Sequence, residues 1–234
     1  MQNKDVIEAV NLSKIYRTRD ASEVKAVDKV NLKVQEGQFL AILGPSGSGK
    51  TTLLNLLGGL EKPTEGEVRI CGLELSKLAE QELVKVRRQI VGFVFQAFNL
   101  IPTLTAIENV EVALPPTVAD RSKRLKRASY LLEWVGLGKR MHHLPAELSA
   151  GEQQRVAIAR AYANEPKIIF LDEPTGNLDT ATGKEIMSLC HRTSKELGQT
   201  VVAVTHAYYV KEYTDRVFYM KDGKLYTQMP EEEA

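Results

Sequence analysis

Lys50 and Thr51 close the run Gly44-Pro45-Ser46-Gly47-Ser48-Gly49-Lys50-Thr51-Thr52, and residues of those types at that spacing suit the holding of phosphate. In G-x-x-x-x-G-K-[ST], successive backbone N–H groups must curl round phosphate oxygens, which excludes side chains at Gly44, Gly47 and Gly49. Lys50 would reach the β- and γ-phosphates of ATP, and the Thr51 hydroxyl would bind Mg²⁺. The helix that follows adds the positive field of its N-terminus, with Ser46 and Thr52 completing the nucleotide-binding set. The bare pattern arises by chance in about one chain in a hundred of this length. Its setting narrows that further, because the apolar strand FLAIL precedes it and the helical run LLNLLGGL follows.

A second group sits in Lys167-Ile168-Ile169-Phe170-Leu171-Asp172-Glu173-Pro174. Two carboxylates stand there at the C-terminal end of an apolar strand, where ligands of open α/β sheets gather. Asp172 suits the Mg²⁺ shell as the Walker-B acid. Glu173, next along, would point elsewhere and could polarise an attacking water as general base.

The stretch LSAGEQQR, residues 148–155, reads in two ways. Ser149 and Glu152 have the spacing of a capping box, and the apolar-periodic run VAIARAYA follows at once. The same helix start could instead be turned outward to hold a phosphate.

These groups need a scaffold that can bury a core, and a chain of 234 residues, 43% apolar and 26% charged, has the composition of one globular domain with at most a subdomain. A formal net charge of +1 gives no electrostatic reason to expect nucleic acid as a partner. Cys71 and Cys190 stand far apart with no zinc-site spacing, which fits a reducing, cytoplasmic interior. No window approaches the eighteen or so apolar residues of a spanning helix, and the first ten residues lack the apolar core of a signal peptide, so any membrane span must come from another chain.

Short β-rich runs recur in VIEAVNLSKIY, AVDKVNLKV, FLAILG, GEVRI, IVGFVFQ, KIIFLDEP, VVAVTH and RVFYMKDGKLY. FLAIL, IIFLD and VVAVT are almost continuously apolar, as strands covered on both faces are, and the DG of KDGKLY marks a hairpin. From about Gln96 to Ala163 helical periods replace them, in AIENVEVAL, SKRLKRASYLLEWVGL and EQQRVAIARAYA. Pro102, Pro115-Pro116, Pro145 and Pro166 punctuate this segment, and the terminal EEEA reads as a solvated tail. The expected fold is therefore α/β, a P-loop NTPase core with a mixed, partly parallel sheet and an N-terminal antiparallel β region. Residues 1–95 and 164–234 form that core, and residues 96–163 form an inserted helical subdomain carrying LSAGEQQR.

Together GPSGSGKTT, LSAGEQQR and IIFLDEP, in that order over nearly the whole chain, resemble the ATP-binding subunit of an ABC transporter. The resemblance implies further roles. Tyr16 in LSKIY matches the aromatic residue that stacks on adenine, and Gln96 in GFVFQ matches the switch glutamine, at the junction of core and helical subdomain. Asp179 in GNLD matches the aspartate loop of the dimer interface and can also cap the helix that starts there. His206, closing VVAVTH, matches the switch histidine at the γ-phosphate. In such a family two subunits close head to tail, so Ser149, Gly151 and Glu152 would act on the partner's ATP while the capping box holds their helix start. Catalysis would fall to Glu173, His206, Gln96 and Lys50, and metal binding to Thr51, Gln96 and Asp172.

VGFVFQAFNLIPTLTAIENVEVAL and LDEPTGNLD look most like the branch of lipoprotein-releasing, macrolide-exporting and antimicrobial-peptide-resistance ATPases. That implies an integral-membrane permease partner, a head-to-tail homodimer, a place on the cytoplasmic face of the membrane, and export or extraction of a lipoprotein, peptide or hydrophobic compound. The alternative is an ATPase that controls a cell-division or mechanotransmitting membrane protein without transport. Two positions depart from the family pattern. Ala150 replaces the first signature glycine, and Ala207 stands where Asp commonly follows the histidine. As first helical residue Ala150 needs only helical φ/ψ, which Ala supplies better than Gly, leaving Gly151 as the position where a side chain would meet phosphate.

Overall fold

The computed structural model describes residues 4–17, 22–114 and 120–230. Pro115, Pro116 and the acidic tail 231–234 lie outside the described residues. The chain opens with strands β1 (Asp5–Arg17) and β2 (Glu23–Gln35), an antiparallel pair, before the short apolar strand β3 (Phe39–Leu43) leads into the phosphate loop and helix α1 (Lys50–Leu57). Strands β4 (Glu65–Ile70) and β5 (Leu73–Glu74) follow, then helix α2 (Glu80–Gln89) and strand β6 (Val91–Val94). Helices α3 (Ala106–Glu111), α4 (Arg121–Trp134) and α5 (Ala150–Ala161) come next, and no strand occurs among the described residues between β6 and β7 (Ile168–Asp172). Helix α6 (Thr180–Leu197), strand β8 (Thr200–Thr205), and the hairpin β9 (Arg216–Lys221) and β10 (Lys224–Tyr226) complete the chain. Asp222 and Gly223 both adopt positive φ at its turn, as a two-residue primed turn requires.

Two sheets result. One has the order β2-β1-β4-β5 and is antiparallel throughout; the other runs β10-β9-β3-β8-β7-β6, parallel from β9 to β6 with β10 antiparallel at the edge. The continuous apolar runs have the expected cause. Phe39, Ala41, Leu43, Ile169, Leu171, Val201 and Ala203 pack into one core with α3 to α6, while Leu40, Ile42, Ile168, Phe170, Val202 and Val204 pack into a second with α1, α2 and the antiparallel sheet. Alternate residues of each central strand thus face different cores, so both parities must be apolar. This buries the strands on both faces, and at their C-terminal ends β3, β7 and β8 deliver Gly44, Asp172 and His206.

Candidate functional site: a phosphate cradle and its carboxylates

The loop after β3 is shaped first by its own chain. Gly47 and Gly49 have φ of +79° and +102°, and a Cβ on Gly49 would overlap the Ala26 carbonyl, as one on Gly44 would overlap that of Met220. Gly47 alone of the three looks onto open space. Gly44 and Gly49 are thus set by backbone packing against β2 and β9, and Gly47 by the turn of the loop. The hairpin turn closes the other side, with Gly223 N donating to the Ser48 carbonyl at 3.0 Å and Asp28 N to the Gly223 carbonyl at 2.9 Å.

Lys50 is 95% buried and folds back into the loop, donating from Nζ to the carbonyls of Gly44 and Pro45 at 2.8 and 2.9 Å. Its ammonium lies 3.6 Å from Glu173 Oε1. The Thr51 hydroxyl donates to Asp172 Oδ1 at 2.9 Å, so the start of α1 and the end of β7 place a hydroxyl and a carboxylate side by side. Burial raises the Asp172 carboxyl above its ordinary range; the Thr51 hydroxyl opposes this, the Glu173 charge adds to it and the Lys50 charge opposes it. A half-buried carboxylate beside a hydroxyl is an oxygen pair of the kind a hard divalent cation takes.

Glu173 is held tightly. Its backbone sits in the left-handed region at φ +45°, and its N–H donates to the Val204 carbonyl at 2.9 Å. Its Oε2 accepts from the Thr205 hydroxyl at 2.9 Å and from the His206 backbone N–H at 3.2 Å. His206 Nδ1 lies 3.0 Å from the same oxygen, which puts the ring proton on that nitrogen and turns Nε2 away from the carboxylate.

A cleft of about 520 Å³ brings together Ser46, Gly47, Gly49, Lys50, Thr51, Thr52, Gln96, Glu173 and His206. Gln96 spans the loop after β7, where its carbonyl accepts from Asn177 Nδ2 at 2.8 Å and its side chain lies over Gly176. Beyond Gln96 the chain turns through positive φ at Phe98 and Asn99, and Arg160 of α5 donates to both of their carbonyls. Lys25, Ala26, Asp222 and Gly223 also line the cleft. They come from β2 and the hairpin turn, and no motif spacing marks them in the sequence. Tyr16 is not in that lining. It stands to one side with its hydroxyl donating to Glu61 at 2.6 Å and within reach of Thr52, and Lys14 lies 5.3 Å from its ring centre.

Ser149, Gly151, Glu152 and Asp179 are likewise absent from the lining of this cleft. Ser149 caps α5: its Oγ accepts from Glu152 N at 3.2 Å, and Glu152 returns the bond to Ser149 N at 2.8 Å. Both Ser149 and Ala150 are exposed, and Ala150 lies within the helix with no positive φ. Gly151 touches its own chain, since a Cβ there would stand 2.7 Å from Thr182 Cγ2. Thr182 in turn donates its hydroxyl to Asp179 Oδ2 at 2.6 Å, and Asp179 Oδ1 accepts from the amides of Ala181 and Thr182 as the cap of α6. The Thr182 hydroxyl and these amides hold the Asp179 carboxyl below its ordinary range.

Over most of its length the chain is similar to known proteins. Residues 27–176 match a family model described as ABC transporter. An uncharacterized ABC transporter ATP-binding protein of Methanocaldococcus jannaschii is 50% identical over 220 residues, 94% of this chain and 97% of that protein. The macrolide export ATP-binding/permease protein MacB of Rhodopirellula baltica is 46% identical over 93% of this chain, which spans 32% of that longer protein. Among solved structures, the dimeric post-hydrolysis state of the ATP-binding cassette MJ0796, bound to ADP and Pi, superposes with a TM-score of 0.85 at 46% identity, covering 94% of this chain and 96% of that one.

Proposed function

Because this chain belongs to the ABC transporter family and is an ATP-hydrolysing cassette of it, we propose that two copies close head to tail on ATP and so power a separate integral-membrane permease. The observation that carries this reading is the position of the signature. Ser149 is exposed at a capped helix start and lies outside the cleft that holds Lys50, Glu173 and His206, so its free face suits a second copy's ATP. That MJ0796 forms a dimer with ADP and Pi bound supports an assembly of two copies.

In the proposed cycle the amides of the loop from Gly44 to Gly49, with Ser46 and Thr52, take the phosphates, and Lys50 exchanges its two loop carbonyls for β- and γ-oxygens. Tyr16 stacks on adenine beside the cleft. A water in line with the γ-phosphorus gives its proton to Glu173 as its oxygen attacks, and the bond to the β–γ bridging oxygen breaks to leave ADP and inorganic phosphate. His206 faces the γ-phosphate from Nε2. Thr51, Asp172 and Gln96 are the groups that would hold Mg²⁺, which when bound would neutralise charge on the phosphate oxygens. ATP lies in the interface, so binding and dimerisation are linked, and hydrolysis releases the pair.

Residues 96–163 act in this reading as the helical unit that relays the γ-phosphate state to the permease, starting from Gln96 and the Arg160-held turn at Phe98 and Asn99. No helix among the described residues is long and apolar enough to cross a membrane, which fits a subunit docked on the cytoplasmic face of a partner that does. The similarity to MacB favours export or extraction of a hydrophobic compound, peptide or lipoprotein over a role in cell division or mechanotransmission. Two measurements test the proposal. Glu173→Gln should slow phosphate release by orders of magnitude and trap an ATP-dependent dimer on gel filtration; a variant that hydrolyses normally removes Glu173 from the base role. Co-purification from native membranes should recover a permease, and vesicles holding the complex should move a solute on ATP.

A further inference from the structure

We infer that Thr205 is a positioning residue for hydrolysis, fixing which carboxylate oxygen of Glu173 receives the proton. The inference rests on Glu173 as the base and adds a residue to which no role has been assigned. Thr205 ends β8 with no exposed surface, between the core and the cleft. Its hydroxyl makes two contacts of opposite sense. Oγ1 accepts from the Ala207 backbone N–H at 3.1 Å and lies 2.9 Å from Glu173 Oε2. A hydroxyl has one hydrogen, and an amide N–H can only donate, so the Ala207 bond occupies a lone pair and leaves the hydrogen for Oε2.

The same Oε2 accepts from the His206 backbone N–H and faces His206 Nδ1, so its lone pairs are taken. Oε1 is the oxygen left over, and it is the one that lies toward Lys50 and the phosphate loop. A carboxylate that spun freely about its last torsion would present either oxygen. Donors gathered on Oε2 end that freedom, and Oε1 is presented to the water in line with the γ-phosphate. Thr205 differs from the His206 donors in being fully buried, and its own backbone carbonyl accepts from Gly44 N at 3.3 Å, which ties the base to the first residue of the phosphate loop.

The test is Thr205→Val, which keeps the shape and β-branching and removes the hydroxyl. The steady-state kcat should fall about tenfold to a hundredfold, the range for losing a hydrogen bond to a charged group, with KM for ATP unchanged. Thr205→Ser should restore it. In the Glu173→Gln background the same Thr205→Val change should leave the residual rate where it is, since the two residues act as a unit. Thr205→Ala gives the same readouts should the valine disturb packing. A Thr205→Val enzyme with wild-type kcat, a serine variant as slow as the valine one, or an additive loss on Glu173→Gln overturns the inference. Normal hydrolysis by Glu173→Gln alone would instead overturn the base on which it rests.

Discussion

Gln154 donates its side-chain amide to the carbonyl of Pro174 across 2.7 Å, inside the protein, where Gln154 has no exposed surface. Pro174 follows Glu173, whose backbone is left-handed, so the helix that begins at Ser149 anchors the turn that carries the base. The other amide atom, Oε1, has no partner among the described residues. Gln154→Leu therefore removes one good bond and one unsatisfied acceptor together, and should cost about 1–2 kcal/mol. Gln154→Glu should cost more, because it sets a buried carboxylate against a carbonyl oxygen. Urea midpoints at neutral pH should fall in the order wild type, Leu, Glu, and kcat should fall with them as the Glu173 turn loosens.

Asp172 carries a stability cost that its function explains. Burial raises its carboxyl, so the folded state binds this proton more tightly than the unfolded chain does. The stability that protonation supplies is complete below the unfolded value of about 3.9 and is lost as pH rises through the higher folded value. Asp172→Asn keeps an oxygen for the Thr51 hydroxyl and has no charge to bury. Without nucleotide it should melt above the wild type at neutral pH, with the gap closing toward pH 3–4. With ATP and Mg²⁺ the order should reverse, because only the wild type gains the ligand. Melting curves across pH, with and without Mg-ATP, check both parts.

The glycines of the phosphate loop separate folding from binding. Gly49→Ala drives a methyl into the Ala26 carbonyl and demands φ +102° of an alanine, and Gly44→Ala meets the Met220 carbonyl. Each should lose about 1–3 kcal/mol or more before any nucleotide is added. Gly47→Ala has room, and only its φ of +79° counts against it, for about 1 kcal/mol. Its main loss should be in ATP affinity. Urea melts of the free protein beside ATP titrations would show this contrast, and equal stability loss at all three positions would contradict it.

Much of this was legible before any coordinates because local pattern and function coincide. The loop from Gly44 to Thr52 needs a strand before it and a helix after it, and Asp172 and Glu173 need a strand end, all of which leave marks in sequence. Helix α2 left little trace, since only Leu83 and Val86 of its ten residues are buried and charges surround them. The β-rich runs marked the strands, and the expected N-terminal antiparallel β region is the sheet of β1, β2, β4 and β5. Thr205, Gln154 and the Asp222–Gly223 wall escaped for another reason. Their roles depend on residues 20 to nearly 200 positions away, and pairings of that kind have no periodicity to read.

Gly151 is where the structure most changes the expectation. A phosphate from a second copy was the predicted reason for its missing side chain, and the structure adds a reason within the chain, because Thr182 Cγ2 fills the space a Cβ would need. Thr182 is bound to Asp179, so a methyl on Gly151 would push α5 away from the start of α6 and disturb the aspartate loop. Gly151→Ala should therefore lower ATPase and also cost stability in the monomer, about 1–3 kcal/mol. Thr182→Ser removes Cγ2 and keeps the hydroxyl for Asp179, so the Gly151→Ala/Thr182→Ser pair should recover the stability. Recovery of ATPase as well would place the requirement in the contact with α6, whereas a stable but inactive double variant would leave the partner's phosphate as its cause. Ala150, one residue earlier, is exposed and helical, and Ala150→Gly should cost only about 0.5–1 kcal/mol with activity retained.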